Sequence, residues 1–418
     1  MVAADLHRRL ERRSTNKRSP LPDTAALLEN EHVKQTLNLR FLATAISINA
    51  VLGVLYAWSL FLVPLELLLN ESRSSVSVVP TVALVCFTIG MFFHDNLLRR
   101  LPLAPLTSGV LALAGLGHLM FWWSPSYATL LVGYGLLFGT GGGIGFGLAL
   151  SLARSTTTEP RGSIVGLVAA TFAASGMSVS ALGATLGTVE PVPDSFGLLG
   201  AGFLTVSLLA GVLLRGQQLP YRAEQVITDV RGATRSTGFW LLFVGNFTIC
   251  YAGLMFISHG AAILHDHGLA IAEASWAPFS SNVGYLIGAL FGGVIATRFP
   301  GRATPLVFSI LSLLSAFTFL APKLVALQLV GLFFIGSAFG GTVSVFMMLF
   351  TVWFGADKVG TLFARLNVGY GVAGLVAPAL TGWLFTVRGS YESPVLTCIG
   401  LLLVGCAAIA FSTRPTLS

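Results

Sequence analysis

The sequence predicts an all-α membrane protein of twelve transmembrane helices in two six-helix halves, with both termini cytoplasmic. Three observations predict it. The 418 residues are 54% hydrophobic and only 10% charged, where soluble domains carry about 25% charged residues. Apolar runs of the roughly 20 residues needed to cross ~30 Å of hydrocarbon recur twelve times along the chain. Lysine and arginine collect in alternate connections between those runs. The mean hydropathy of +0.81 agrees. The net charge of +7 is spread over many connections and forms no basic patch, which argues against nucleic acid as a partner.

Taken in order, residues 1–40 mix Arg8, Arg9, Arg12, Arg13, Lys17 and Arg18 with acids. They read as a polar cytoplasmic tail, too long and too acidic for a signal peptide. Spans at 41–64, 75–93, 102–123, 127–153, 163–188 and 196–214 make the first half (41–214). A polar linker at 215–237 separates it from the second half (238–412), with spans at 238–264, 275–297, 303–321, 324–349, 360–386 and 394–412. Residues 413–418 are a short tail. With the N-terminus inside, the cytoplasmic side holds 21 of the 24 Lys and Arg, and only Arg73, Lys323 and Arg388 lie opposite. The positive-inside rule expects such a bias when span count and orientation are both right, since a missed span would scramble the alternation.

Span four contains "FGTGGGIGFG", Phe138 to Gly147. It lacks the glycine spacing of a dinucleotide loop and the Gly-Lys-Ser/Thr ending of a P-loop. Gly139, Gly143 and Gly147 recur every fourth residue, a smooth helix face that a second helix can approach closely. Cys86, Cys250, Cys398 and Cys406 all lie in apolar runs and read as small core side chains without metal or disulfide spacing. No catalytic constellation, metal set or cofactor motif is present in the sequence, so an enzyme is not expected.

The halves echo each other at an offset of about 200 residues, the mark of a parallel-repeat transporter. "GMFFHDNLLRR" (Gly90 to Arg100) and "GVIATRFPGR" (Gly293 to Arg302) both resemble the G-x-x-x-D-R-x-G-R-R signature of the major facilitator superfamily. The first shifts the acid by one position and the second has Thr297 in its place. "GVLYAWSLFLVPLE" (Gly53 to Glu66), followed by "NESRSSVSVVPTVAL", resembles the oxalate/formate antiporter and monocarboxylate porter branch of that superfamily. Arg161–Gly162 and "WFGADKVGTLFARLNVGYG" (Trp353 to Gly371) fit the same branch. The resemblance implies a monomeric secondary transporter of the plasma (inner) membrane, with lipid around it and a small organic anion, a monocarboxylate, as substrate. It further implies proton coupling or exchange, and a cytoplasmic gate made by Asp95, Arg99, Arg100, Arg298 and Arg302. Those arginines can equally anchor helix ends at anionic headgroups. In oxalate-transporting members basic residues project from spans eight and eleven. Here those positions fall near Ala289 and near Leu366–Asn367, which leaves open the export of a neutral or drug-like metabolite, or a non-transporting receptor.

Near the presumed midplane the polar candidates for substrate binding are Asn49, Tyr56, Trp58, Tyr251, Asn282, Tyr285, Asn367 and Tyr370, with Thr171, Ser175 and Asn246 beside them. Each is either interhelical glue or cavity lining. Ionisable residues inside the membrane are costly and count as functional candidates. Arg365 lies ~7 Å into span eleven by helical rise and turns inward to a carboxylate or snorkels to the surface. His259 in span seven suits proton coupling. His118 is expected at the interface beside Trp122 and Trp123, and His265–Asp266–His267 in an outer loop is weak metal spacing.

Overall fold

The computed structural model describes residues 37–156, 162–186, 191–219, 230–299, 301–321, 323–355 and 358–414. Among them twelve helices are long and apolar enough to cross a bilayer. The first six are α1 (Leu39–Ala57), α2 (Arg73–Arg100), α3 (Leu103–Trp123), α4 (Tyr127–Arg154), α5 (Ile164–Thr185) and α6 (Val192–Leu213). The second six are α7 (Thr237–Asp266), α8 (Ile271–Arg298), α9 (Ala303–Leu320), α10 (Val325–Phe354), α11 (Val359–Arg388) and α12 (Glu392–Phe411). An even number of crossings puts residues 37 and 414 on one face, called terminal here; the opposite face is distal. Arg161 and residues 220–229 of the 215–237 linker lie outside the described residues.

The expected spans are found, and the largest departure lies at the end of α2. The sequence ends this span at 93, yet the helix runs through Arg100. It ends where Pro102 forces the preceding residue out of the helical region, and Leu101 is extended at φ −120° and ψ 144°. Two helices carry irregular turns. α1 tightens to a 3-10 turn over Gly53–Ala57 before a short helix, Ser59–Leu69, completes the crossing. α4 loosens to a π-helical stretch over Leu131–Phe138, a geometry that recurs at functional sites.

Within each half the tightest pairings are α2 with α4, α3 with α6, and α8 with α10. The glycine row explains the first. A Cβ on Gly139 would meet Ala83 backbone, on Gly143 the Phe87 carbonyl, and on Gly147 the His94 ring, so only glycine lets α4 lie this close to α2. The second half repeats the device, with Gly284 and Gly288 of α8 against the Phe333 and Ser337 carbonyls of α10. Between the halves, α2 packs on α11 and α5 on α8. Close α2–α11 contacts include Ser77–Gly382 near the distal face and Thr88–Gly371, about the middle of α2. The N-half interior encloses His118 completely, ringed by Tyr134, Phe138, Phe196 and Phe203 at 4.8–5.6 Å. The expectation of an interfacial His118 is thereby corrected: its neighbours Trp122 and Trp123 face outward while the helix turns the imidazole into the core.

Candidate functional site

Where the halves meet at mid-depth, five helices deliver aromatic rings to one cluster. Tyr56, in the 3-10 turn of α1, lies 4.9 Å from Phe172 of α5, 5.4 Å from Tyr285 of α8 and 5.9 Å from Phe339 of α10, measured between ring centroids. Phe339 then stacks on Tyr370 of α11 at 6.1 Å. The phenol oxygens of Tyr285 and Tyr370 neighbour that of Tyr56. Tyr56 is buried, whereas Tyr285 and Tyr370 are half-buried. Without its tighter turn α1 would aim Tyr56 elsewhere, so this local irregularity positions the site.

Asn282 of α8 holds that turn in place. Its Nδ2 donates to the Tyr56 carbonyl at 3.1 Å and to the Pro278 carbonyl at 2.8 Å, joining the two halves. Its Oδ1 has no hydrogen-bond partner among the described residues and faces Gly176 of α5, where a Cβ would stand 3.0 Å from it. A buried acceptor left open in this way is costly unless something donates to it. On α7, the Asn246 amide reaches the Leu366 carbonyl at 3.5 Å, beside a break in α11 at Asn367. Asn367 is half-buried one turn from Tyr370, and its carbonyl accepts from the Tyr370 amide.

The structure therefore brings together Tyr56, Asn282, Tyr285 and Tyr370, with Asn367 adjacent. The other neutral candidates sit in the packing of their own half. Asn49 donates to the Val168 carbonyl at 2.6 Å, tying α1 to α5, and Thr171 donates to the same carbonyl. Ser175 lies where α5 meets Gly53. Trp58 is buried against Tyr134 at 4.7 Å, and Tyr251 against Phe247 at 6.2 Å. Phe172 and Phe339 were missed by sequence reasoning, because no polar atom marks an apolar ring on an apolar helix.

The charged candidates lie away from the cluster. Arg365 is exposed at the terminal end of α11 and donates from Nη1 to Thr234 Oγ1 at 2.9 Å. Asp95 is 68% exposed, and its ion-pair partner among the described residues is His94 of the same helix, at 3.2 Å. Arg99, Arg100 and Arg298 are exposed helix-end residues, and Arg302 donates to the Ser412 carbonyl within its own half. His265 bonds the Leu269 carbonyl and His267 the Gln328 side chain, so the two turn apart.

His259 is fully buried on α7 toward the distal face. Its Nδ1 lies 3.0 Å from the Tyr391 hydroxyl and its Nε2 3.0 Å from the Pro378 carbonyl of α11. Tyr391 also accepts from Arg73 Nη1 at 2.5 Å, and Arg73 is ion-paired with Glu66. The Arg73 guanidinium rests 4.3 Å from the Phe385 ring. In the sequence Arg73 stands out only as an exception to the charge bias. Hydrogen bonds joining the halves include Arg73–Tyr391, Ser74–Thr386 and Asn282–Tyr56. These three lie at the level of the cluster or distal to it.

Residues 242–418 match the family model of the Major Facilitator Superfamily. Among curated proteins, the chain is 23% identical over 331 residues to an uncharacterized MFS-type transporter YhjX of Escherichia coli, covering 78% of this chain and 82% of the relative. It is 26% identical over 235 residues to the oxalate:formate antiporter of Oxalobacter formigenes, covering 52% of this chain and 53% of that one. Solved structures with a similar fold include an inward-facing, occupied bacterial homolog of the human lysosomal transporter Spinster, with TM-score 0.70 and 15% identity over 89% of this chain and 96% of that one. A nucleoside transporter NupG variant matches at TM-score 0.73 and 11% identity, covering 89% and 98%. A D-xylose-proton symporter matches at 0.68 and 13%, covering 91% and 99%.

Proposed function

We propose that this chain, an integral multi-pass membrane protein with the major facilitator fold, is a secondary transporter that carries a small monocarboxylate through the Tyr56–Tyr285–Tyr370 cluster. The observation that carries the reading is the convergence of three phenols from α1, α8 and α11 at one point between the halves. Phenol hydroxyls donate hydrogen bonds, and hydrogen bonds to a charged acceptor contribute about 1.5–3 kcal/mol each. Three of them solvate a carboxylate, while Phe172 and Phe339 cover its hydrocarbon end. The short ring spacings favour a small substrate. The likeness to an oxalate:formate antiporter supports a carboxylate.

A carboxylate buried among neutral groups is expensive, so it travels with a proton or against a counter-anion. Both termini are assigned to the cytoplasm, which puts the distal face outside in the plasma membrane. The cross-half hydrogen bonds close that outer side. On the cytoplasmic side Asp95 pairs with His94 of its own helix, which suits a gate in its released state. One observation favours a second reading: among the described residues no cation reaches the cluster, which suits a neutral metabolite.

Uptake into proteoliposomes of labelled formate, lactate, pyruvate, oxalate and a neutral amino acid, with and without an inward proton gradient, tests the reading. Gradient-stimulated or exchange-stimulated entry of a monocarboxylate, lost in the Tyr285→Phe, Tyr370→Phe double variant, is expected. Uptake of the amino acid alone would move the assignment to neutral metabolites.

A further inference from the structure

The distal closure is built as one directional chain of hydrogen bonds. Arg73 donates to the Tyr391 oxygen and pairs with Glu66. Pro378 offers only a carbonyl to His259, so Nε2 carries the imidazole hydrogen and donates to it. Nδ1 is then the bare acceptor, and the Tyr391 hydroxyl donates to it. Every partner is satisfied in this arrangement, and it admits one form of His259, the neutral Nε2–H tautomer. The chain joins the short helix Ser59–Leu69 after α1, α2, the turn before α12, α7 and α11, so it crosses from one half to the other.

We infer that this chain is a proton-operated outer gate: it closes when His259 is unprotonated, and a proton taken up at Nδ1 holds it open. With Nδ1 protonated, two N–H donors from His259 and Arg73 converge on the Tyr391 oxygen, whose own hydrogen loses its acceptor. The new positive charge also lies one hydroxyl away from the Arg73 guanidinium. Closure therefore expels the proton, and acid outside favours the open face. The charged or titratable groups facing His259 among the described residues are Tyr391 and, through it, Arg73 with Glu66. Asp266 of α7 acts on Tyr391 as well, and α11 contributes only the Pro378 carbonyl. Burial raises the Tyr391 phenol above its ordinary range, so Tyr391 itself stays protonated throughout the acid titration. The inference rests on the transporter reading for its role, since it supplies the group through which a proton couples to the alternation of the two faces.

The test reads the gate without any substrate, so it stands or falls separately from the choice of cargo. Ser77 of α2 is fully buried at the contact with α11, and Ser77→Cys places a thiol that only an open distal face uncovers. Labelling by a membrane-impermeant maleimide is measured in proteoliposomes at external pH 7.5 and 5.5. The parent chain serves as blank for its four native cysteines. Rates are normalised to Ser124→Cys, exposed at the same face, which corrects for thiol ionisation. An ordinary imidazole near pH 6.5 gives about a tenfold rise in the open-to-closed ratio over that interval. In a His259→Gln background, with one donor, one acceptor and no titration, the rise should vanish. A rise that survives in His259→Gln, or its absence in the parent, would overturn the inference. Should His259→Gln misfold, Tyr391→Phe keeps the ring against Phe385. It should label faster than the parent at pH 7.5 and show a smaller pH step. Labelling identical to the parent at both pH values would equally overturn it.

Discussion

Gly382→Ala offers a direct measure of how tightly the distal face is shut. A Cβ there would fall inside van der Waals contact with the Ser77 side chain and 3.0 Å from the Arg73 carbonyl oxygen, both across the boundary between the halves. Ser77 cannot swing aside freely, because its hydroxyl donates to that same carbonyl at 2.6 Å. Forcing an extra methyl into a packed contact costs about 1–3 kcal/mol. Alanine also gains up to ~1 kcal/mol of helix propensity over glycine, but α11 is a helix whichever face is open, so that gain cancels between the two states. The cost falls only on the state in which α2 and α11 touch. At 1.4 kcal/mol per factor of ten, the distal-open population should rise roughly 5- to 150-fold. Spin labels on distal residues of α2 and α11 report this as a longer-distance population in pulsed dipolar spectra. Gly400→Ala, which meets nothing within 4 Å, is the control. If Gly382→Ala leaves the distance distribution unchanged, the α2–α11 crossing is looser than described and the closure argument fails with it.

The remaining predictions concern stability and the charged residues. Gly143→Ala should lose about 1–3 kcal/mol through its clash with Phe87 backbone, whereas Gly109→Ala, in open space on α3, should be neutral or gain up to ~1 kcal/mol. Thermal unfolding in detergent compares the pair. Arg73→Gln leaves the nearly buried Glu66 carboxylate without its cation, which costs about 3–5 kcal/mol; adding Glu66→Gln should recover most of the lost melting temperature if the pair acts as a unit. Arg365→Gln should retain most uptake, because the guanidinium bonds Thr234 rather than the cluster. Loss of uptake with normal insertion would instead put Arg365 in the path.

Much of the architecture was legible because each of its causes is local. Span length follows from bilayer thickness, and the glycine row of span four carries its own periodicity, so Gly139, Gly143 and Gly147 could be assigned to a packing face before any partner helix was known. The partner, α2, was not legible, since nothing in the sequence couples Gly143 to Phe87. The site divides in the same way. Tyr56, Asn282, Tyr285 and Tyr370 were found because a polar group at mid-membrane is expensive and therefore conspicuous. Asn49 and Trp58 satisfied the same criterion yet turned into their own bundle, because the criterion fixes depth and says nothing of azimuth. Phe172 and Phe339 failed it outright. The bond between His259 and Tyr391 spans 132 positions in sequence, and only the packing of α7 against the start of α12 brings the two together.

The glycine-lined pairing of α2 with α4 also has a mechanical meaning. α2 has 28 residues, about 42 Å of helix at 1.5 Å per residue, and close approach to α4 along its length makes the two a single beam. Its glycine contacts with α11 include Gly371 against Thr88, near mid-length, which is where a fulcrum would sit. A tilt of ~10° about that point moves each end by roughly 4 Å in opposite directions. Events at the two faces are then tied by leverage alone. The signal that one side has opened reaches the other as displacement, without a chain of intermediate side chains to carry it.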